Sequence, residues 1–506
     1  MARGRHKKGV LASSQPAPLF IAPKPVRGGS ATAAIDPLAG REFELKLEGV
    51  ASGGELVAAR DGIKFFVDVG CPGQTVLVRV ESSGNGVAYA RRTQVLAKSP
   101  DQAEPFCPYF GKCGGCSWQE IPYERQLEIK KSNFIHTLVK VGDITNPPIP
   151  HIQPLIASPE TKRFRSKMEF AFANSGDQSQ KNAEGALLGL RKRGSHQVVE
   201  VEDCPVASEL LGPVLRLVRG WVQKSGLMAW EPDDGLKGGL IGNKVLRFLN
   251  TRTAHSGSGL AVELVTYPAP NAAKMIRQLG EDLLALTPAT SFAHLTREAE
   301  DNQAQGENLV LRLGDEFLCE KIGKYEFDLA PGAFFQTNLG VAGLLQEKVL
   351  ELAAWANLPP GDVETEAWDL YSGAGALTLP LAPLFGRVAG FELSVSAVIS
   401  AKHNALRNGI DNCIFEAGDA QKLVRSFAGS PRLVVLDPPR AGLARELVKT
   451  LLIKKVPILI YVSCNPQTLA RDLKSLSEKY ELCFVQGLDM FPHTPHMEAV
   501  ALLKRR

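Results

Sequence analysis

The chain has 506 residues, 44% of them hydrophobic and 22% charged, with a formal net charge of +4. That length suits roughly three domains and a large core, so folding needs no staples; the charge content is ordinary for a globular chain, no window approaches the length of a membrane span, and a charge this modest permits an anionic partner without demanding one. Nine cysteines with no secretory signal point to a reducing cytoplasmic setting, where clustered thiols are metal ligands or catalysts more often than disulfides. Residues 1–35 carry Arg3, Arg5, Lys7, Lys8, Lys24 and Arg27 and no acid, so residues 1–41 are read as a disordered basic tail.

From residue 42 the pattern changes. Phe43-Glu44-Leu45-Lys46-Leu47-Glu48 has strict period two, and short runs follow at Leu56–Ala59, Lys64–Val69, Thr75–Val80 and Ala88–Val95. Gly53-Gly54, Asp61-Gly62, Pro72-Gly73 and Gly84-Asn85-Gly86 punctuate them. Five short strands of this kind predict a small closed OB-like β-barrel over residues 42–98. Such barrels often bind oligonucleotides; a passive appendage reads the same way.

Residues 99–330 are read as a central α+β domain. It opens with Cys107, Cys113 and Cys116 at C-x5-C-x2-C spacing, with Gly114-Gly115 between the last two. Three thiolates this close can fold around an inorganic core, and Cys204, followed by Pro205, is the candidate fourth ligand. An iron–sulfur cluster is favoured over a four-cysteine zinc site, since zinc sites commonly use two CxxC pairs and this chain has one. Residues 117–140 have helical spacing in Tyr123, Leu127, Phe134 and Leu138. Lys162, Arg163, Arg165 and Lys167 alternate with Phe164, Met168 and Phe170, and Arg191-Lys192-Arg193 adds charge: a phosphate-gripping strand, or a solvated strand edge. Strands near Lys244–Leu249, Leu260–Thr266 and Asn308–Arg312 and loops at Gly235–Gly242 and Ser256–Gly259 fill the rest. Phe334-Phe335-Gln336-Thr337-Asn338 sets rings beside amides, which suits a base-recognition or cofactor edge, and a helix over 342–356 follows.

Residues 360–506 alternate strand and helix, which predicts a doubly wound, mostly parallel sheet of about seven strands. Trp368-Asp369-Leu370-Tyr371-Ser372-Gly373-Ala374-Gly375 runs from a strand into a glycine turn, a nucleotide-binding opening that lacks the third glycine of the dinucleotide fingerprint. Glu392 ends the second strand, where an acid can accept both hydroxyls of a ribose, and Asp419 follows the third, where it can face an adenine. The apolar runs Leu433–Leu436 and Ile458–Val462 stop abruptly at Asp437-Pro438-Pro439-Arg440 and Ser463-Cys464-Asn465-Pro466. Buried parallel strands ending there set Asp437 and Cys464 in one crevice beyond the sheet. Cys464 can be a small buried apolar residue; Asn465-Pro466 argues for a thiol turned out of the core, a candidate nucleophile.

With Gly373-x-Gly375, Glu392, Asp437-Pro-Pro-Arg440, Ser463-Cys-Asn-Pro466, His496-Met497-Glu498 and the cysteine cluster in this order, residues 42–506 resemble the RNA uracil-5-methyltransferases. The resemblance implies a TRAM barrel at 42–98, a cluster-bearing domain at 99–330 and a class I S-adenosylmethionine domain at 331–506. It implies that Cys464 is the nucleophile and Glu498 the general base, that Gln336, Tyr371, Glu392 and Asp437 lie at the cofactor, and that Cys107, Cys113, Cys116 and Cys204 hold a [4Fe-4S] cluster. Those four cysteines resemble the branch acting on 23S ribosomal RNA; the transfer RNA branch generally lacks cluster and barrel. Ser372 and Ala376 depart from the Cys and Asn of many members.

The chemistry needs these residue types. C5 of uracil is too poor a nucleophile to take a methyl group until a thiolate adds at C6. A base must then remove the C5 proton so that the thiol can leave, and the uridine must be flipped out or presented in a loop. The expected protein is a cytoplasmic monomeric enzyme with RNA as partner and no membrane. The rivals are an amino-group methyltransferase, suggested by Asp437-Pro438-Pro439, and a non-catalytic RNA-binding iron–sulfur protein.

Overall fold

The computed structural model describes residues 36–144, 152–174, 185–231, 243–255, 257, 259–355 and 365–506, and every count below refers to them. The tail up to residue 35 and the loop at 235–242 lie outside them. Asp36–Arg41, expected as the end of a disordered tail, is instead pinned to the sheet that follows: Asp36 accepts hydrogen bonds from Ser83, and Arg41 O accepts from Val80 N at 3.0 Å.

Residues 42–97 form six strands: Glu42–Lys46, Gly49–Val50, Leu56–Arg60, Ile63–Val67, Thr75–Gly84 and Val87–Ala97. Glu42–Lys46 pairs with Thr75–Gly84 at one edge and Gly49–Val50 with Leu56–Arg60 at the other. One bent segment thus borders both edges, so the sheet curls on itself around Leu45, Leu47, Leu56, Phe65, Val67, Val76 and Val78. The sixth strand exists because the chain bends after Leu47 and Glu48 N turns to donate to Val57 O at 2.8 Å.

An eight-stranded sheet follows, its core filled by helices Leu211–Ser225 and Ala273–Leu286. The helix expected over 117–140 starts only at Tyr123, after Pro122. Ser117 and Trp118 spend their backbone N–H groups on His493 O, at 2.9 and 3.0 Å, rather than on a helical turn. This helix, Tyr123–Lys140, packs Phe134 and Leu138 against the C-terminal sheet rather than the central one, and the hairpin of strands Leu318–Ile322 and Tyr325–Leu329 joins the same C-terminal layers.

The C-terminal sheet has seven strands, labelled here β1 (Glu366–Leu370), β2 (Arg387–Glu392), β3 (Cys413–Ala417), β4 (Leu433–Leu436), β5 (Ile458–Ser463), β6 (Tyr480–Leu488) and β7 (Glu498–Arg505). Their order is β3-β2-β1-β4-β5-β7-β6, with β1 to β5 parallel and β7 antiparallel to both neighbours. Each buried strand sends alternate side chains to opposite faces: Ala367 meets the layer of helices Leu339–Trp355 and Val395–Arg407, while Trp368 and Leu370 meet that of Arg445–Lys454 and Pro466–Leu476. The chain reverses direction between β1 and β4, which opens a crevice beyond the carboxyl ends of the strands.

Candidate active site

The antiparallel register of β5 and β7 builds the centre of the site. Val462 pairs with Val500 and Ser463 with Ala499, so Cys464, one residue further, stands opposite Glu498. β5 ends at Ser463, and Asn465, two residues on, accepts from Gln467 N at 3.1 Å through its side chain and caps helix Pro466–Leu476. The same amide donates to Arg440 O at 3.1 Å, locking the loop after β5 to the loop after β4. Asp437 N donates to Leu370 O at 3.2 Å, which ties β4 to the glycine turn after β1.

This pocket carries more acid than base. Burial first, with Glu498 and Asp437 acting in the same direction and Arg440 opposing, pushes the Cys464 thiol up to about 12. Burial likewise lifts the Asp437 carboxyl to about 7. Glu498, only 3% exposed, is raised well above the usual carboxylate range by burial and by Asp437, again opposed by Arg440. Its Oε2 has no hydrogen-bond partner among the described residues. An unpartnered buried carboxylate oxygen costs free energy that packing elsewhere must offset, a pattern found at functional sites.

The glycine turn alternates left-handed residues, with φ of 70° at Tyr371, 54° at Gly373 and 90° at Gly375. A Cβ built at Gly373 would meet nothing within 4 Å, so the turn faces open space. Glu392 accepts from Gly373 N at 3.1 Å and Ser394 N at 2.8 Å, which leaves its remaining lone pairs free to accept from a ligand. Tyr371 lies half-buried beside this turn. The helix that follows the turn is only Thr378–Leu381, because Pro383 has no N–H to donate back to Leu379 and the chain tightens into a 3-10 turn at Ala382–Leu384. Asp419 is exposed and accepts from Lys422 N at 3.0 Å as a helix cap, so one of its oxygens is committed to the fold. In the Phe334–Asn338 stretch, Phe335 enters the core and Asn338 caps helix Leu339–Trp355 through Val341 N, while the half-buried Gln336 amide keeps no partner among the described residues.

A cavity of about 1040 Å³ runs from Cys464, Arg440 and His496 past Cys107, Cys113, Cys116 and Cys204 to the N-terminal sheet. Each of the first three cluster thiols feels the charge of Cys204, so the four are gathered in space. Gly115 N donates to Cys113 Sγ at 3.3 Å. The donor set is four soft sulfurs; among the described residues no three ligating side chains converge on one point as a single ion requires.

A sequence profile of the family described as tRNA (Uracil-5-)-methyltransferase matches residues 313–506. An uncharacterized RNA methyltransferase of Nitratidesulfovibrio vulgaris is 35% identical over 92% of this chain and 97% of its own length. One from Caldanaerobacter subterraneus is 32% identical over 92% and 99%. The solved tRNA (uracil-54, C5)-methyltransferase of Pyrococcus abyssi, in complex with S-adenosyl-L-homocysteine, superposes with a TM-score of 0.68 at 25% identity, covering 91% of this chain and all of that one. The chain belongs to the RNA uracil-5-methyltransferase family. It is therefore an S-adenosylmethionine-dependent RNA methyltransferase, with RNA as its substrate, and no helix among the described residues is long and apolar enough to cross a membrane.

Two residues of this methyltransferase escaped the sequence reading. Arg440 is the cation that acts on both Cys464 and Glu498; its place at the end of Asp437-Pro-Pro-Arg was the available signal. Asp369 is fully buried, its carboxyl lifted to about 7 by burial, with one oxygen accepting from Thr378 at 2.6 Å and the other unpartnered. The basic residues expected to grip phosphate differ in their partners. Arg163 clamps Asp203 through two bonds of 2.7 Å and also donates to Cys204 O and Ala207 O at 3.0 Å. Lys167 pairs with Glu169; in the N-terminal sheet, Arg79 pairs with Glu42 and Arg92 with the buried Glu120. Lys64, Lys162, Lys192 and Arg165 have no acidic partner within ion-pair distance among the described residues.

Proposed function

We propose that the chain methylates C5 of a uridine in 23S ribosomal RNA through a covalent bond between Cys464 and C6. The observation that carries this is the pairing of β5 with β7, which sets a buried thiol opposite a buried carboxyl with an unpartnered oxygen. The Cys464 thiol is protonated at rest, and Asp437, balanced near neutrality, takes its proton as sulfur adds to C6. Once C5 carries the transferred methyl group, Glu498, as the carboxylate that Arg440 favours, takes the C5 proton; the electrons of that bond restore the C5–C6 double bond, and the Cys464 sulfur leaves and recovers its proton from Asp437. Arg440 holds the thiolate and the carboxylates against the low dielectric around them. Gly373, Tyr371, Glu392, Asp419 and Gln336 bound the space for S-adenosylmethionine, with Asp437 at its reacting end. When bound, S-adenosylmethionine supplies the methyl group on a cationic sulfonium, a charge that suits a pocket with surplus acid. Glu498→Gln should trap a methylated protein–RNA adduct of retarded mobility on a denaturing gel; normal turnover without adduct would make Glu498 structural.

A second target, a transfer RNA uridine, is favoured by the likeness to the Pyrococcus abyssi enzyme. Mass mapping of ribosomal and transfer RNA from cells with and without the protein separates the two. Cys107, Cys113, Cys116 and Cys204 fit a [4Fe-4S] cluster in donor type and in sharing one cavity wall. A cluster has its own volume and spaces its thiolates more widely than one ion does. Methyl transfer exchanges no electrons with an acceptor, so the cluster's work is to tie residues 107–116 to the Cys204 segment. Anaerobically purified protein should contain iron and acid-labile sulfide in equal amounts; zinc without sulfide would overturn this assignment.

A further inference from the structure

The curled N-terminal sheet turns two aromatic rings toward the same cavity that ends at Cys464. Phe66 and Tyr89 are register partners on parallel strands, with ring centroids 5.4 Å apart and planes at 21°. Their strand neighbours Phe65, Val67, Ala88 and Ala90 point into the core, so the period of two places both rings on the outer face. Tyr89 is 40% exposed, and its hydroxyl has no partner among the described residues. Lys64 Nζ lies 5.2 Å from the Phe66 centroid, and Arg91 follows two residues after Tyr89 on the same face. Both rings line the cavity together with Lys192, Arg193, Arg440 and Cys464.

The sheet is also fixed relative to the catalytic loop. Trp118 Nε1 donates to Gly54 O at 2.9 Å. Gly54, at φ +99°, packs so close to Pro495 that a Cβ there would fall 2.5 Å from the proline ring. Pro495 stands three residues before Glu498, so the rings and the catalytic pair are held in one frame.

We propose that Phe66 and Tyr89 are a stacking platform for one unpaired base of the RNA strand whose uridine is delivered to Cys464. This rests on the RNA reading of the catalytic cavity. An exposed ring face beside a lysine matches a nucleotide in both parts, with the base stacking on the rings and the phosphate meeting Lys64. Arg91 is paired with Glu81 at 2.8 Å, so the cations left for a polyanion are Lys64 and Lys192, which have no acidic partner among the described residues; stacking tolerates any base, so the platform contributes affinity and register rather than sequence choice.

The probe is a single-stranded oligouridylate carrying 4-thiouridine, bound to the full-length protein with S-adenosylhomocysteine present. Tyr89→Ala should weaken binding roughly five- to hundredfold, raise KM for RNA substrate by the same factor, and leave kcat and S-adenosylhomocysteine affinity unchanged. Tyr89→Phe and Tyr89→Trp should restore binding. The salt slope should stay the same in Tyr89→Ala and flatten in Lys64→Ala, because only the second removes a phosphate contact. Photo-crosslinks should map to Phe66 or Tyr89. Phe66→Leu repeats the test with the core side of the strand intact. If wild type binds and Tyr89→Ala binds equally well, the platform falls and the RNA reading stands. If wild type itself fails to bind the probe, the delivery of an unpaired uridine strand to Cys464 falls and takes the platform with it.

Discussion

Asp489 and Glu498 bracket one loop, and both are buried acids. Asp489 meets the ammonium of Lys130 at 2.5 Å, with both side chains fully enclosed, and Lys130 donates its next bond to Phe491 O at 3.0 Å. Glu498 meets a second acid and a thiol, with Arg440 as the opposing cation; each acid keeps one oxygen unpartnered among the described residues, Oδ2 of Asp489 and Oε2 of Glu498, so it is charge balance that separates them. The first group is balanced, one carboxylate for one ammonium, and it holds the loop to helix Tyr123–Lys140. The second is unbalanced, with two carboxyls and a thiol around the one guanidinium of Arg440. His493 lies between them with φ 64°, bound through N to Gln126 at 2.9 Å and through Nε2 to Thr161 O at 2.9 Å. These bonds and the Lys130–Asp489 pair fix the start of the loop that leads to Glu498.

The contrast can be broken most severely at the unbalanced end. Cys464→Ala should lower methyl transfer by at least about 10⁴-fold, as removal of a nucleophile does elsewhere, while calorimetry finds S-adenosylmethionine affinity intact. Retained turnover would sink covalent catalysis. At the balanced end, Lys130→Met should cost about 3–5 kcal/mol in chemical denaturation, because Asp489 is left as an uncompensated buried charge. Adding Asp489→Leu should recover much of that loss; if the single and double variants are equally unstable, packing rather than charge holds the loop.

Asp437→Asn sharpens the comparison through pH. The folded carboxyl sits at about 7, above its ordinary value of 3.8, so the folded state binds the proton more tightly than the unfolded one. Its contribution is fully present below the ordinary value and is lost as pH rises toward 7, so wild-type stability should decline over that window. Asp437→Asn should flatten the decline and gain up to a few kcal/mol near neutrality, with activity reduced. Thermal unfolding across that range decides it; an unchanged profile would show Asp437 solvated in solution. The smallest effect is expected at Arg163→Ala. It releases the clamp on the Cys204 segment and should speed, several-fold, the bleaching in air of the visible absorption that the proposed iron–sulfur cluster would give, with unfolding barely altered because the Asp203 partner is half exposed.

How much of this could be read without coordinates differs from residue to residue. The β1 turn, Asp437, Cys464 and the cysteine cluster announce themselves as abrupt changes of residue type at the ends of apolar runs or in short spacings, and local chemistry writes such signals directly into the chain. The alternation of strand and helix over 360–506 did the same for the parallel sheet. Partnership is not written that way. Arg163 and Lys192 look alike in a basic run, yet the first clamps Asp203 and the second faces the cavity. Asn338 looked like a recognition amide and became a helix cap; helix Tyr123–Lys140 lay in the central segment and packs on the C-terminal sheet. The sequence by itself determined which groups are present and where strands and turns begin. Only the tertiary structure decided which charges cancel and which stay unpaired, because desolvation and pairing depend on distances between residues far apart in the chain.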